Sequence, residues 1–379
     1  MERAELYEHL RVLLNAGAVL PLPKHEATYN LLTNMFDEEE AAITVAGLQK
    51  VNTPVSLDDI LNASDLSRDR LTDRLEAMVY KGLIRKPSPE KFMAVPYYLG
   101  IIPRYFIYNR VDPESMKMVS EATSGLLRSS WAQEMSDWKL GLTRVMPAVK
   151  PTEKTISINK AIEVEKTVLP YEILKEYISK VEPQSFRIIP CGCRELARLS
   201  GNPCQRTNEN FCISIGAGTA AFQAQGIGRA VSLDELMEVL ERAEKEGLVH
   251  QTGNIQETAA LICNCCSCCC AYLKPFKETR GAARTIARSN FEPVYNNELC
   301  ELSETCAQIC PTGAIFHHHP HKPDGTDDYM MIRPELCMGC GLCASNCPNE
   351  AITMRKVRDV EPPKNAVEMA AKFIQGRTH

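Results

Sequence analysis

Apolar and polar positions change period along the chain, and the first hundred residues read mainly as helix. Residues 28–48 carry apolar positions at helical spacing and predict one long amphipathic helix. TPVSLDDILNAS predicts a short helix capped at Ser56. SRDRLTDRLEAMVYKG predicts another, with Ser67 as cap and Leu71, Leu75, Met78 and Val79 on one face, stopped by Gly82. LIRK and KFMAV then read as a β-hairpin with PSPE at its tip. Helix, helix, helix and hairpin in this order predict a winged-helix-like domain over 28–95. Residues 113–139 read as helical, with Trp131 and Trp138 seven apart as packing residues on one face.

Further along, GIGRAVSLDELMEVLERAEKEGLVHQTGN predicts a helix with a Ser232/Glu235 capping box. Leu233, Leu236, Leu240 and Ala243 form its apolar stripe, and Gly247 stops it. His250, just beyond, is read as structural or exposed rather than as a ligand. SIGAGTAAFQAQGIGRA lacks a preceding β-rich run, so it reads as a loop and helix without a nicotinamide or flavin site. The tail VRDVEPPKNAVEMAAKFIQGRTH predicts a proline-broken linker and a short amphipathic helix that packs back or meets a partner. AVPYYLGIIPRYFIY at 94–108 is the nearest approach to a membrane span, but two prolines and Arg104 interrupt it. It falls short of the roughly 18 apolar residues a span needs, and reads as a buried connection.

Composition adds limits. With 379 residues, 44% hydrophobic and 24% charged, the chain suits two or three ordinary soluble domains. The acidic opening MERAELYEHLRVLL lacks the basic flank and apolar core of a secretory signal, so a cytoplasmic, reducing location is expected. The net charge of −5 gives no reason to expect nucleic acid. Residues 1–100 hold 11 Lys/Arg against 15 Asp/Glu, a net of −4, and the helix over Arg68, Asp69, Arg70, Asp73 and Arg74 alternates in sign. Phosphate binding draws on a basic face. A winged helix of this charge is expected to dock proteins, with a DNA-binding redox sensor as the alternative.

Cysteine placement is the informative chemistry. All 17 cysteines lie between Cys191 and Cys347, and LICNCCSCCCAYL packs Cys263, Cys265, Cys266, Cys268, Cys269 and Cys270 into eight positions. Disulfide geometry disfavours bridges between neighbours, and thiols this dense in a reducing compartment usually hold metal. Upstream, RIIPCGCRELARLSGNPCQRTNENFC supplies Cys191, Cys193, Cys204 and Cys212, the first two as an expected extended C-x-C pair facing one way. Ten middle thiols are enough for two cubane clusters, with zinc open as an alternative for some of them. CNCCSCCC embeds a C-x2-C-x2-C series (Cys263, Cys266, Cys269) and a C-x2-C pair (Cys265, Cys268), leaving Cys270 over.

Residues 291–356 contain a repeat. Cys300/Cys337, Cys306/Cys343, Cys310/Cys347 and Pro311/Pro348 share one offset of 37 residues. The second copy reads C-x2-C-x2-C-x3-C-P, and this stretch resembles the bacterial two-[4Fe-4S] ferredoxins. The resemblance implies one cluster on Cys337, Cys340, Cys343 and Cys310, and another on Cys300, Cys306 and Cys347. The position matching Cys340 is Ser303, a harder and weaker ligand. That site is left open between a serine- or Glu301/Glu304-ligated cluster, a three-iron cluster, and none. Between the copies, His317, His318, His319 and His321 read as part of a hairpin loop turning at Pro323–Gly325, with a metal site as the alternative.

With PCGCRELA, Cys204, Cys212, GRAVSLDELMEVLERAEKEGLVH and ICNCCSCCC added, residues 140–356 resemble ferredoxin-like 4Fe-4S proteins of anaerobic bacteria and archaea. That implies two to four clusters, electron transfer, and redox protein partners or a larger oxidoreductase complex. The expected class is α+β and multidomain. It comprises a winged-helix-like domain (1–110), a helical linker (111–150), an α-rich cysteine-rich middle (151–285), a two-cluster ferredoxin-like module (286–356) and a tail helix (357–379). Two other functions stay open: an iron–sulfur transcriptional sensor, and an enzyme whose cluster binds substrate, such as a disulfide reductase. The electron donor and acceptor and the oligomeric state are not legible.

Overall fold

A computed structural model describes residues 2–148, 172–319 and 328–375. Mixed helix and strand content makes the chain α+β. It divides into two compact units: Met1–Glu134 with Pro190–Pro203 and Ala224–Ile227, and Met135–Ile189 with Cys204–Gln223 and Gly228–His379.

In the first unit, the expected helix over 28–48 is two helices, α2 (Glu26–Met35) and α3 (Glu38–Gly47), following α1 (Arg3–Asn15). The break has a local cause. Asp37 accepts a hydrogen bond from the Glu40 N–H, while the Asp37 N–H donates to the Glu40 carboxylate, a reciprocal box that starts a new helix. After a short strand β1 (Val55–Ser56) come α4 (Leu57–Asn62), capped by Ser56, and α5 (Arg68–Lys81), capped by Ser67. Gly82 ends α5 in the left-handed region (φ 85), where a Cβ would sit 3.1 Å from the Arg104 backbone. Leu71, Leu75, Met78 and Val79 are buried. Strands β2 (Arg85–Ser88) and β3 (Lys91–Met93) complete a three-stranded sheet in the order β1-β3-β2.

Every arginine of α5 is engaged by acid. Arg70 pairs with Glu39 at 2.8 Å, Arg74 with Glu39 at 2.9 Å and with Asp37, and Arg68 with Asp58. Trp131 is buried, donates to the Pro21 carbonyl at 2.8 Å and meets Tyr98 edge-on. Of the C-x-C pair only Cys191 is extended. Cys191 caps the helix Gly192–Leu199 and Cys193 lies in its first turn. A Cβ at Gly192 would sit 3.0 Å from the Pro103 carbonyl oxygen, a tight contact.

In the second unit strands, rather than the expected helices, organise the cysteine-rich segment. A seven-stranded sheet runs β10-β4-β8-β9-β6-β5-β7. Its strands are β4 (Thr143–Val145), β5 (Phe186–Ile189), β6 (Cys212–Ile215), β7 (Arg229–Val231), β8 (Val249–Gly253), β9 (Leu261–Cys265) and β10 (Ile286–Ala287). All neighbours are antiparallel except β10 and β4. The helix Leu233–Lys245, capped by Ser232, lays Leu236, Val239, Leu240 and Ala243 on a core with Phe186, Ile213 and Ile262, while Leu233 stays exposed. Burying each such aliphatic side chain contributes roughly 2 kcal/mol. A strand does precede the Gly216–Ala224 turn and helix. It is antiparallel to both neighbours, so no parallel βαβ unit forms. Trp138 is buried edge-on against Phe373 of the tail helix Ala366–Gln375, so that helix packs back. The helix before Trp138 ends at Ser136, so the expected shared face with Trp131 does not form.

The C-terminal part of this unit repeats itself at the 37-residue offset. Strand β11 (Phe291–Tyr295) pairs with β14 (Ile352–Lys356), and β12 (Ile315–His318) with β13 (Tyr329–Ile332). The short helices Thr305–Ile309 and Leu342–Ser345 sit at matching places. Turn hydrogen bonds repeat as well: the Asn296 N–H donates to the Ala351 carbonyl at 2.8 Å, and the Arg333 N–H to the Ala314 carbonyl at 2.7 Å. His321 and the Pro323–Gly325 turn lie outside the described residues. Among the described residues no helix is long and apolar enough to cross a membrane.

Candidate cysteine centres

The two halves of the repeat enclose two cavities. One is lined by Cys310, Cys337, Cys340 and Cys343, walled by Pro293, Ile315 and Leu342. The other is lined by Cys300, Cys306 and Cys347 together with Ser303, Glu301 and Glu304. Each cavity thus takes three side chains from one motif and a proline-preceding cysteine from the other. The crossing follows from the antiparallel pairing of β11 with β14 and β12 with β13, which places the end of each motif beside the start of its partner.

Around the first cavity, burial pushes the thiols of Cys337, Cys340 and Cys343 upward, with neighbouring cysteines adding to it. Buried thiolates here call for a compensating cation and hydrogen-bond donors. Donors are present: the Ala314 N–H points at Cys310 Sγ, at 3.2 Å. Backbone N–H groups of Gly339 and Leu342 reach Cys337 and Cys340. Such a donor set, dry and thiol-lined, fits an iron–sulfur cluster.

At the second cavity the loop keeps the shape of its partner without its glycines. Gly339 and Gly341 flank Cys340 with φ of 69 and 74, and Leu302 and Glu304 flank Ser303 with φ of 54 and 56. Left-handed backbone costs a side-chain-bearing residue roughly 1 kcal/mol or more. The loop bears that strain twice and still presents Ser303 where the partner presents Cys340. Tyr295, which pattern reading passed over, is half-buried beside Cys306 and Cys343, and desolvation pushes its hydroxyl upward.

The middle cysteines fall into two groups different from the sequence spacings. Cys204, Cys266, Cys268 and Cys269 converge, with all four sulfurs within 4.8 Å of one another. Cys204 Sγ lies 3.5 Å from Cys266 and 3.8 Å from Cys268, and Cys268 lies 3.7 Å from Cys269. Cys265 instead shares thiol hydrogen bonds with Cys263 and Cys270, which, with burial, push it far up. The C-x2-C-x2-C series is therefore split. Strand β9 turns Cys263 and Cys265 to one face and Asn264 to the other, and the turn Cys266–Cys270 carries the rest around. Cys269 is raised chiefly by its hydrogen bond to Cys266, and Cys268 by burial. Cys212 is buried in β6 opposite Ile189, while Cys191 and Cys193 belong to the first unit.

Two links tie these groups to the repeat. Cys265, Cys270 and Cys340 pack on one apolar cluster with Val145, Val249, Leu273 and Phe276. A buried polar network runs beside it. His250 contacts Asn264 at 2.5 Å and Glu244 at 3.1 Å, and Glu244 accepts from the Ser345 hydroxyl. His250 is structural and buried, not exposed.

Comparison with known proteins places the repeat. Residues 299–351 match the 4Fe-4S dicluster domain family. Pyruvate synthase subunit PorD of Methanocaldococcus jannaschii is 36% identical over 83 residues, 22% of this chain and 80% of that protein. An uncharacterised ferredoxin of the same organism is 33% identical over 93 residues, 24% of this chain and 48% of that protein. The beta subunit of a dissimilatory-type sulfite reductase of Archaeoglobus fulgidus is 29% identical over 163 residues, 43% of this chain and 38% of that protein. The chain thus spans most of the short pyruvate synthase subunit and about half or less of the other two.

Proposed function

Because the chain belongs to the 4Fe-4S dicluster ferredoxin family, we propose that it is an electron-transfer subunit or docking partner of a larger anaerobic redox enzyme. The observation that carries this reading is the pair of cavities lined by interleaved cysteines. Cys310, Cys337, Cys340 and Cys343 would hold one cluster. Cys300, Cys306, Cys347 and Ser303 would hold another whose Ser303 corner is the weakest. A bound cluster supplies one-electron chemistry. The protein's part is to exclude water with Pro293, Ile315 and Leu342, and to bias the potential through N–H···S bonds such as that from Ala314. The pyruvate synthase and sulfite reductase relatives are, by name, subunits, which supports a partner-bound role.

For the middle group the distances favour one tetrahedral ion over a cubane. A zinc ion with Zn–S bonds of about 2.3 Å sets its sulfurs about 3.8 Å apart. Cys204, Cys266, Cys268 and Cys269 stand at 3.5 to 3.8 Å where measured in pairs. These four are read as a structural zinc site. Cys263, Cys265 and Cys270 are read as a further metal-binding group that packs toward Cys340. In the first unit, the strand–helix–helix–hairpin order is read as a winged helix, with the acid-paired Arg68, Arg70 and Arg74 favouring a protein partner over DNA.

The test is iron, acid-labile sulfide and zinc per chain on protein purified without oxygen, with a reductive titration followed by EPR. Matched iron and sulfide with reversible reduction supports the electron carrier. Zinc without sulfide at every cysteine would overturn it.

A further inference from the structure

The histidine-rich hairpin between the two cysteine motifs is not used by this reading. Its side chains are arranged around a point. His317 and His319 are two apart, at the end of β12, so their rings share a face, with centroids 4.0 Å apart. Asp328 precedes β13 and faces them across the ladder, in which His318 pairs with Tyr329. Asp328 Oδ2 lies 2.8 Å from His319 Nδ1 and 3.2 Å from His317 Nε2, and the three donor atoms all lie within 4.8 Å of one another. Ligands about 2.05 Å from a tetrahedral zinc would be spaced about 3.3 Å apart.

Two further observations separate this from a chance charge pair. His317 Nε2 is buried, and despite its closeness to Asp328 it makes no hydrogen bond. A buried ring nitrogen left so is costly unless something else satisfies it. The other nitrogen, Nδ1, meets Glu304 at 2.8 Å. In the tautomer whose one N–H is on Nδ1 and meets Glu304, Nε2 is a lone pair directed toward Asp328. Two lone pairs facing each other repel, whereas a cation between them attracts both. Carboxylate on one nitrogen and metal on the other is the usual arrangement of a ligating histidine.

We propose that His317, His319 and Asp328 bind one borderline divalent cation of the zinc type, oriented by Glu304. His319 is largely exposed, so the remaining coordination position faces solvent. Glu304 also lines the Ser303 cavity, so the ion's orienting carboxylate belongs to the loop of the weaker cysteine centre.

The experiment is equilibrium dialysis of the full, anaerobically purified chain against zinc chloride, with zinc and iron counted by mass spectrometry. His319→Ala and Asp328→Asn should each remove a single zinc equivalent relative to the unaltered chain and leave iron unchanged. Glu304→Gln should retain the stoichiometry but weaken that equivalent roughly 10- to 100-fold. His319 is exposed, so its removal does not threaten the fold. Equal zinc in the unaltered chain, His319→Ala and Asp328→Asn would overturn the proposal, and would leave the hairpin as a proton-linked ion pair.

Discussion

The repeat and the cysteine-rich middle solve the same problem with opposite geometry. In the repeat, cysteines stand back around cavities. In the middle, four sulfurs close to near-contact. Both groups contain half-buried and buried thiols lifted by their surroundings, so both call for a cation. What differs is the room left for inorganic sulfide. A glycine loop with left-handed φ at Gly339 and Gly341 turns its backbone N–H groups inward and keeps the cysteines apart. CNCCSCCC has no glycine, and its strand-then-turn path folds thiols onto one another. On the proposed assignment, loop backbone, more than cysteine count, would separate a cluster cradle from a single-ion site.

The largest expected effect comes from Cys340→Ala. It should abolish the cluster on the Cys310 side, removing about half of the iron held by two cubanes, measured with matching sulfide. Zinc retained in that variant would show that the two regions load independently. Cys268→Ser should remove one zinc equivalent while sparing iron and sulfide. Loss of iron and sulfide instead would erase the geometric distinction.

A pH profile sharpens the common part. The thiols of Cys265, Cys269, Cys340 and Cys343 are raised, so the metal-free fold is favoured while they stay protonated and should lose stability as pH climbs beyond the ordinary thiol range of about 8.5. Metal binding requires thiolates, so the loaded chain should show the reverse trend and release metal as pH falls. Thermal unfolding of both forms across pH measures it. His250→Leu, which takes one partner each from Glu244 and Asn264, should cost about 2 kcal/mol in denaturant unfolding without changing metal content. Smallest, Leu302→Gly should gain roughly 1 kcal/mol by relieving left-handed strain. Added to Ser303→Cys, it should raise iron retention at the Cys300 side, and unchanged retention would mean Ser303 is not a ligand position.

Much of the molecule was legible from local chemistry. Ser56, Ser67 and Ser232 cap helices because a side-chain oxygen meets N–H groups three residues on, a purely local event. The 37-residue offset was visible because the two copies retain the same spacing. Other features were local in cause but easily overlooked, as with the Asp37 box that cuts 28–48 into two helices. The partner of Cys266 was of another kind. Spacing suggested Cys263 and Cys269, whereas the ladder of β6 and β9 brings up a loop from 62 residues away and delivers Cys204. The same holds for His319 and Asp328, joined only by strand pairing.

By itself, the sequence determined which cysteines are chemically able to hold metal and where Ser56, Ser67 and Ser232 start helices. Covalent spacing and capping act over a few residues, and no tertiary contact alters them. Only the tertiary structure decided which thiols meet, how far apart they stop, and that Ser303 lines one cavity as Cys340 lines the other. Those outcomes depend on strand register and backbone path, set by burying Ile213, Leu240 and Ile262 far from any cysteine spacing.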